Sequence, residues 1–329
     1  MDPLNNYVII FQSKQERLYL KYKSFSIIVP TYNGAKRIKK TLLAIKHLSI
    51  NKSYSYEIII VNNNSTDNVE EVVNLLNIPN TRIVKEEKQG LLYARDRGIK
   101  ESNFEIIFFI DDDVVVDKNW TDSFMEIMNE KEDAGLIGAK ILFPENYHIS
   151  SFIEKHKETF AVTSDLKASE YIVSGMFCFK KEVYDYLNKI NYKQSLVGRG
   201  INNNKYNGGE DIEFSLMLRY TTYKCYDNNH TKAIHYVDKE RLSSENLEKL
   251  KEASGYIIAK IAPYRYTYRF PFKYFSSYYY FYTRILIKKL ISVEKYKKIE
   301  LNKILETLRK EKKDFKKREQ YLRSIKHEV

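Results

Sequence analysis

The stretch IIFFIDDDVVVDKNW, residues Ile106 to Trp120, decides the reading of this chain. Five apolar residues run into Asp111, Asp112 and Asp113, and apolar residues resume at Val114. Such a run suits a strand buried on both faces. Three adjacent carboxylates at its end repel one another, so they need either solvent or a cation. Asp111 and Asp113, two residues apart, can share a divalent cation, or one can hold it while the other meets a ligand hydroxyl. The plainer alternative is a solvated loop with a helix-capping Asp.

Working outward, strand-like and helix-like patterns alternate. FSIIVP (25–30) is a strand closed by Pro30, and AKRIKKTLLAIKHL (35–48) puts Ile38, Leu42, Ile45 and Leu48 on one helical face. A strand at 56–62 precedes a helix that Ser65 or Thr66 would cap, and a strand at 81–86 precedes a helix at 90–102. Strand 104–111 leads into helix 118–130. This β-α-β-α order predicts an α/β fold with a mostly parallel sheet covered by helices. Strands are expected within 134–143, 170–181 and 223–237, and a helix at 210–220.

Ligands of open parallel sheets bind beyond the carboxyl ends of the strands. Small, polar or acidic residues follow those ends here: Thr31-Tyr32-Asn33-Gly34, Asn62-Asn63-Asn64 and the Asp cluster. A second constellation, NGGEDIEFSLMLRY (207–220), places Glu210 and Asp211 at a helix start. The helix dipole alone favours acids there, but a carboxylate beside a metal-phosphate site can also serve as a general base. A third, AIHYVDKERLS (233–243), ends a strand at His235, and Arg241 can reach a diphosphate bidentately or pair with a surface acid.

With 329 residues, 43% of them hydrophobic, the chain holds one large domain or two smaller ones. Cys178 and Cys225 form no metal or redox spacing, and reduced structural thiols fit a cytoplasmic protein. No run of apolar residues is long enough to span a membrane, and the run Tyr7 to Phe11 is too short for a signal peptide. The net charge of +12 falls wholly on residues 264–329, which hold 19 basic and 7 acidic residues. A neutral body argues against a globally basic nucleic-acid binder and gives the tail its own task. Ten of the 28 tyrosines lie in that tail. Its aromatic and basic content predicts peripheral contact with an anionic membrane surface through YYYFYTRILIKKLI. Packing on the body of the chain, self-association through Ile299, Ile304, Leu305 and Leu308, and binding of RNA are the other readings.

Seven motifs in order, IIVPTYNGAKRIKKTLLAI, IIIVNNNSTDN, KQGLLYARDRGI, IIFFIDDDVVVDKNW, VSGMFCFKKEV, GGEDIEFSLMLR and AIHYVDKERLS, resemble the family 2 glycosyltransferases over about residues 24 to 260. The resemblance implies a GT-A (Rossmann-like) fold: an N-terminal extension (1–23), a catalytic domain (24–263) with a nucleotide-sugar half (24–117) and an acceptor half (118–263), and a helical tail (264–329). It implies an inverting transferase that moves a sugar from a nucleotide-diphosphate sugar to a glycan hydroxyl by metal-assisted single displacement. The expected acceptor is a lipid-linked or cell-surface polysaccharide precursor. Pro30, Thr31 and Tyr32 would line the base pocket, with Asn33, Gly90, Arg95, Asp112 and Arg241 as further donor contacts. Asp111 and Asp113 would form the family's D-x-D and, with His235, would hold Mn2+ or Mg2+, Asp113 as the direct ligand. Asp211 would be the base, with Glu210 beside it, and Gly175 and Met176 would lie near the sugars. Asn63 stands where the family usually has an Asp that contacts the base. The polymerase signature Q-x-x-R-W is missing, since the only Trp is Trp120. A sugar-1-phosphate nucleotidyltransferase would want a Gly-rich basic loop where PTYNGAKRI stands, and a turnover-deficient nucleotide-sugar binder is the non-enzymatic alternative.

Overall fold

Four apolar runs of the first half become four parallel strands. A computed structural model describes residues 20–162, 171–172, 175–196, 198, 208–269 and 276–325. In it β1 (Ser24–Thr31), β2 (Ser55–Asn62), β3 (Thr81–Lys85) and β4 (Ile106–Ile110) alternate with α1 (Ile38–Lys46), α2 (Val69–Leu76) and α3 (Leu91–Glu101). They lie in the order β3-β2-β1-β4, all parallel. β4 is buried at every position, which is why its sequence shows no alternation.

The second half contributes β5 (Val114–Val116), α4 (Trp120–Glu130), β6 (Ala134–Leu142), α5 (Ser151–Lys155), β7 (Met176–Lys180), α6 (Lys181–Lys189), α7 (Glu210–Met217) and β8 (Lys224–His235). The eight-stranded sheet runs β3-β2-β1-β4-β7-β6-β8-β5. The mostly parallel, helix-flanked sheet is as expected, but β7 enters antiparallel to both β4 and β6, and β5 antiparallel to β8. Alternation of side chains is the same in either direction, so the sequence of β7 carries no mark of its orientation.

The helix after β2 begins at Val69 with Asn68 as cap, not at Ser65 or Thr66. Both residues are engaged by the loop after β1: the Asn33 amide donates to Ser65 Oγ at 3.0 Å, and the Thr66 amide to Asn33 Oδ1 at 2.8 Å. Cys178 and Cys225 are free thiols.

The chain closes with α8 (Ser244–Arg269), α9 (Ser277–Ile291), α10 (Lys295–Lys310) and α11 (Lys312–Ile325). Residue 264, where the tail was expected to begin, lies inside α8, which continues through Pro263. Ile304, Leu305 and Leu308, the stripe read as a self-association seam, are buried with Ala259, Ala262, Phe281 and Ile285 in a core of the chain's own helices, and Ile299 is half-buried. That seam is therefore not available to a second copy. Among the described residues, no helix is long and apolar enough to cross a membrane.

Candidate active site

A cleft of about 490 Å3 opens at the carboxyl ends of β1, β2 and β4. The three acids ending β4 face different tasks. Asp112 is buried, and Arg37 grips it from Nε at 3.2 Å and Nη2 at 2.9 Å while Thr31 Oγ1 donates at 2.7 Å. Burial pushes its carboxyl above the ordinary range, and Arg37 and Thr31 oppose that push. Gly34 lies so close that any Cβ would collide with Thr31 Oγ1 and Asp112 Oδ2. Asp112 lines the cleft, yet its oxygens fasten the β1 loop to the end of β4.

Asp111 turns to Arg95 of α3, whose Nη2 lies 3.4 Å from its Oδ1. The same guanidinium donates from Nη1 to Glu210 Oε1 at 3.0 Å. Arg95 is 6% exposed and sits between the Phe109 and Phe177 rings at 5.5 and 5.4 Å. Burial alone would disfavour its charge, but Glu210, Asp111 and Asp211 outweigh it and keep the guanidinium firmly protonated. Arg95 thus ties the Asp cluster to the Glu210-Asp211 helix start. Glu210 Oε2 and Arg95 Nε are buried without a hydrogen-bond partner among the described residues. Gly209, at φ 84°, makes the turn into α7; a Cβ there would meet Ile257 at 2.7 Å and carry backbone strain. Asp211 follows, half-buried in the first turn of α7.

Asp113 meets His235, with Oδ2 3.5 Å from Nε2. The three-residue strand β5 makes this contact, since Val114 pairs with His235 and the Tyr236 amide donates to the Asp113 carbonyl at 2.9 Å. At 3.5 Å the pair is longer than a good hydrogen bond, and His235 Nδ1 is buried with no partner among the described residues. A carboxylate and an imidazole side by side are a fitting donor set for a hard divalent cation that completes its shell with phosphate and water. Among the described residues, no three His, Cys, Asp or Glu converge as a ready cage, so Asp111, Asp113 and His235 are not brought together as one ligand set.

The remaining wall comes from the loops. Pro30 and Thr31 end β1, and Tyr32, 43% exposed, stands over the cleft. Asn33, at φ 48°, joins this loop to the one after β2. Asn63 is buried: Nδ2 donates to the carbonyls of Glu86 and Lys88 at 3.1 and 2.8 Å, and Oδ1 accepts from the Gly90 amide at 2.7 Å. An Asp could not make those two donations. The Asn63 side chain therefore builds the loop entering α3. Arg241, in a 3-10 turn (Lys239–Arg241), lines the opposite side beside Asp238. Gly175 accepts from the Asp111 amide at 2.8 Å, so it braces the cluster rather than lining the cleft. The stretches 143–170 and 191–208, whose sequences carry no readable code for a sugar or an acceptor, lie partly outside the described residues.

Sequence reading missed Arg37 and the carboxylate Glu213. Arg37 carried a signal, being a turn away from the Thr31-Gly34 loop; Glu213 looked like one more acid in the first turn of α7.

This architecture, a nucleotide-type half-sheet with an acidic cluster ending its fourth strand, defines a GT-A-like α/β protein. Residues 26–187 match the family described as "Glycosyl transferase family 2", and the chain belongs to the family 2 glycosyltransferases. It is 29% identical over 154 residues to the chondroitin synthase of Escherichia coli, covering 44% of this chain and 22% of that one. It is 28% identical over 224 residues to the Methanococcus voltae dolichyl N-acetyl-alpha-D-glucosaminyl phosphate 3-beta-D-2,3-diacetamido-2,3-dideoxy-beta-D-glucuronosyltransferase, covering 64% of this chain and 66% of that one. These matches span between about a fifth and two thirds of the relatives' own length. Among solved structures, the Pyrobaculum calidifontis mannosyltransferase PcManGT, in complex with GDP-Man and Mn2+, is similar over 94% of this chain and 87% of that chain, with TM-score 0.53 and 13% identity.

Proposed function

We propose that the chain transfers a sugar from a nucleotide-diphosphate sugar to a glycan hydroxyl with inversion at the anomeric carbon. The observation that carries this reading is Arg95, which joins the Asp cluster of the donor half to the Glu210-Asp211 turn of the acceptor half. The relatives' printed activities and the GDP-Man and Mn2+ of PcManGT support a nucleotide-sugar donor and a divalent ion. Asp113 and His235 would hold that ion, Mn2+ or Mg2+, which supplies Lewis-acid neutralisation of the diphosphate.

In this reading Tyr32 stacks on the base and Arg241 contacts the diphosphate. Asp211 takes the proton of the acceptor hydroxyl, whose oxygen bonds to the anomeric carbon from the face opposite the diphosphate. The bond from that carbon to the phosphate oxygen breaks, and the nucleoside diphosphate leaves with the electron pair. Glu210, held by Arg95, fixes the turn that presents Asp211. Nucleotide release with and without a chelator tests the reading. Loss of release with chelator, in Asp113→Ala and in Asp211→Asn is expected; full turnover in either variant would sink its assigned role.

The acceptor is read as lipid-linked, as in the dolichyl-phosphate relative, and α9 supports a membrane-facing side. One face of α9, with Tyr278, Phe281 and Ile285, is buried in the chain. The opposite face exposes Tyr280, Ile287, Leu290 and Ile291 at 37, 55, 84 and 75%. No acidic residue occurs from Ser276 to Val293, whereas Arg284 and Lys288 flank the face and Lys289 follows at the exposed end of the helix. Exposed apolar groups rimmed by cations suit an anionic lipid interface; two copies of so basic a tail would repel.

A further inference from the structure

The buried carboxylate of Glu213 lies one turn beyond Glu210 on α7, and the reaction as proposed does not use it. It is 0% exposed, yet four donors from two other segments converge on it. The Ser195 amide and hydroxyl reach Oε1 at 2.9 and 2.6 Å, and the Leu196 amide reaches Oε2 at 2.6 Å. The Tyr264 hydroxyl, from α8, donates to Oε1. Burial pushes the Tyr264 phenol well above its ordinary value, so it remains a donor.

Charge balance comes from the far end of the chain. Arg318 of α11 sits 3.9 Å from Glu213 Oε1, with its guanidinium 5.5 and 5.6 Å from the Tyr192 and Tyr264 rings. It also donates to the Lys193 carbonyl. Tyr321, one turn on, donates to the Ile190 carbonyl at 3.2 Å. The segment 190–196 is thereby held from one side by α11 and from the other by Glu213. Gln194 from this segment in turn donates to the Glu210 carbonyl, in the first turn of α7. The residues clamped by Glu213 and the residues presenting Asp211 are thus parts of one rigid assembly, and α11 supplies its only cation within 4 Å of Glu213 among the described residues.

We propose that Arg318 and Glu213 are positioning residues through which the C-terminal helix α11 sets the Asp211 turn for proton transfer. The inference rests on Asp211 being the base. It makes α11 part of the acceptor-side machinery, although no described residue of α11 lines the donor cleft. A carboxylate buried without its cation either takes up a proton or draws water, and both loosen the four bonds that fix α7. A small displacement of a base is costly to turnover and leaves a separately built donor site intact.

The test uses the full chain and whichever of UDP-GlcNAc, UDP-glucuronic acid or GDP-mannose the wild type turns over with Mn2+. In Arg318→Met, kcat is expected to fall about 10- to 100-fold while the donor KM stays within about threefold. Arg318→Lys is expected to recover part of the loss. Arg318 lies at the rim of the cluster, 17% exposed, so its variants keep the test open if Glu213→Gln fails to fold. Wild-type kcat in folded Arg318→Met overturns the proposal, as does a donor KM that rises in step with the fall in kcat. Asp211→Asn is measured beside them. If it keeps full turnover, the assignment of the base falls and this inference with it; if it is inactive while Arg318→Met is normal, only the inference falls.

Discussion

Arg95 donates to Glu210 at 3.0 Å across 115 residues of sequence, and the same guanidinium lies 3.4 Å from Asp111. One buried cation therefore balances acids from two motifs that the sequence keeps far apart. Removing it leaves the buried Glu210 carboxylate and the partly exposed Asp111 carboxylate without the cation they share. Arg95→Met is expected to lose about 3–5 kcal/mol of stability, as breaking a buried pair does. Glu210→Gln keeps a carbonyl acceptor and is expected to lose less. Denaturant unfolding of the two variants checks the order; an Arg95→Met protein as stable as wild type would refute the role given to the pair.

Asn63 yields a prediction against family habit. Its amide donates to two backbone carbonyls and its carbonyl accepts from Gly90. Asn63→Asp, which restores the commoner family residue, would set a carboxylate against the carbonyls of Glu86 and Lys88. A cost of about 1–3 kcal/mol is expected, with a weaker grip on nucleoside diphosphate from the disturbed loop. Thermal unfolding together with calorimetric titration of UDP and GDP would expose the opposite outcome, tighter binding in a protein of unchanged stability.

The donor half was legible because its central strands β1 and β4 are buried nearly throughout and its helices are amphipathic, so that periodicity alone separates them. Ile106–Ile110 and the acids that follow could be placed at a strand's carboxyl end from sequence. Other features depend on partners that come from elsewhere in the chain. The direction of β7 is invisible in MFCFK, and VVV gives no sign that β5 will carry Asp113 to His235. The roles of Asp112 and Asn63 as fasteners turn on Arg37 and on the backbone of residues 86–90. In the tail, a basic composition suggested an independent surface, but Leu305 and Leu308 bury against α8 and α9, while the outward face of α9 keeps that character.

Glu57 gives a pH test of the donor half-sheet. Burial would raise its carboxyl, but bonds from the Asn103 amide at 2.7 Å, Ser26 Oγ at 2.7 Å and Asn103 Nδ2 at 2.9 Å, with Arg82 nearby, hold it below the usual 4.5. A folded value below the unfolded one contributes stability that is present above the unfolded value and lost as pH falls through the folded one. Glu57→Gln is therefore expected to be less stable than wild type by about 1–3 kcal/mol near neutrality. The gap should narrow as pH drops below 4.5. Urea titrations across that range measure it, and a gap that stays constant would show that the carboxylate's charge is not what stabilises the sheet.

The outward face of α9 makes its own prediction. Leu290 and Ile291 are 84 and 75% exposed, so changing them removes little native packing. Leu290→Asp with Ile291→Asp is expected to leave stability within about 0.5 kcal/mol of wild type for each substitution. Sedimentation with phosphatidylserine vesicles should show binding by the wild type that weakens with added salt, because Arg284, Lys288 and Lys289 contribute by charge. The double variant loses the apolar insertion and adds repulsion, so its vesicle binding should fall at least about tenfold. Phosphatidylcholine vesicles should bind either protein weakly. Equal binding of wild type and double variant to anionic vesicles would move the contact away from α9, and a concentration-dependent dimer abolished by the same pair would assign the face to a second copy of the chain.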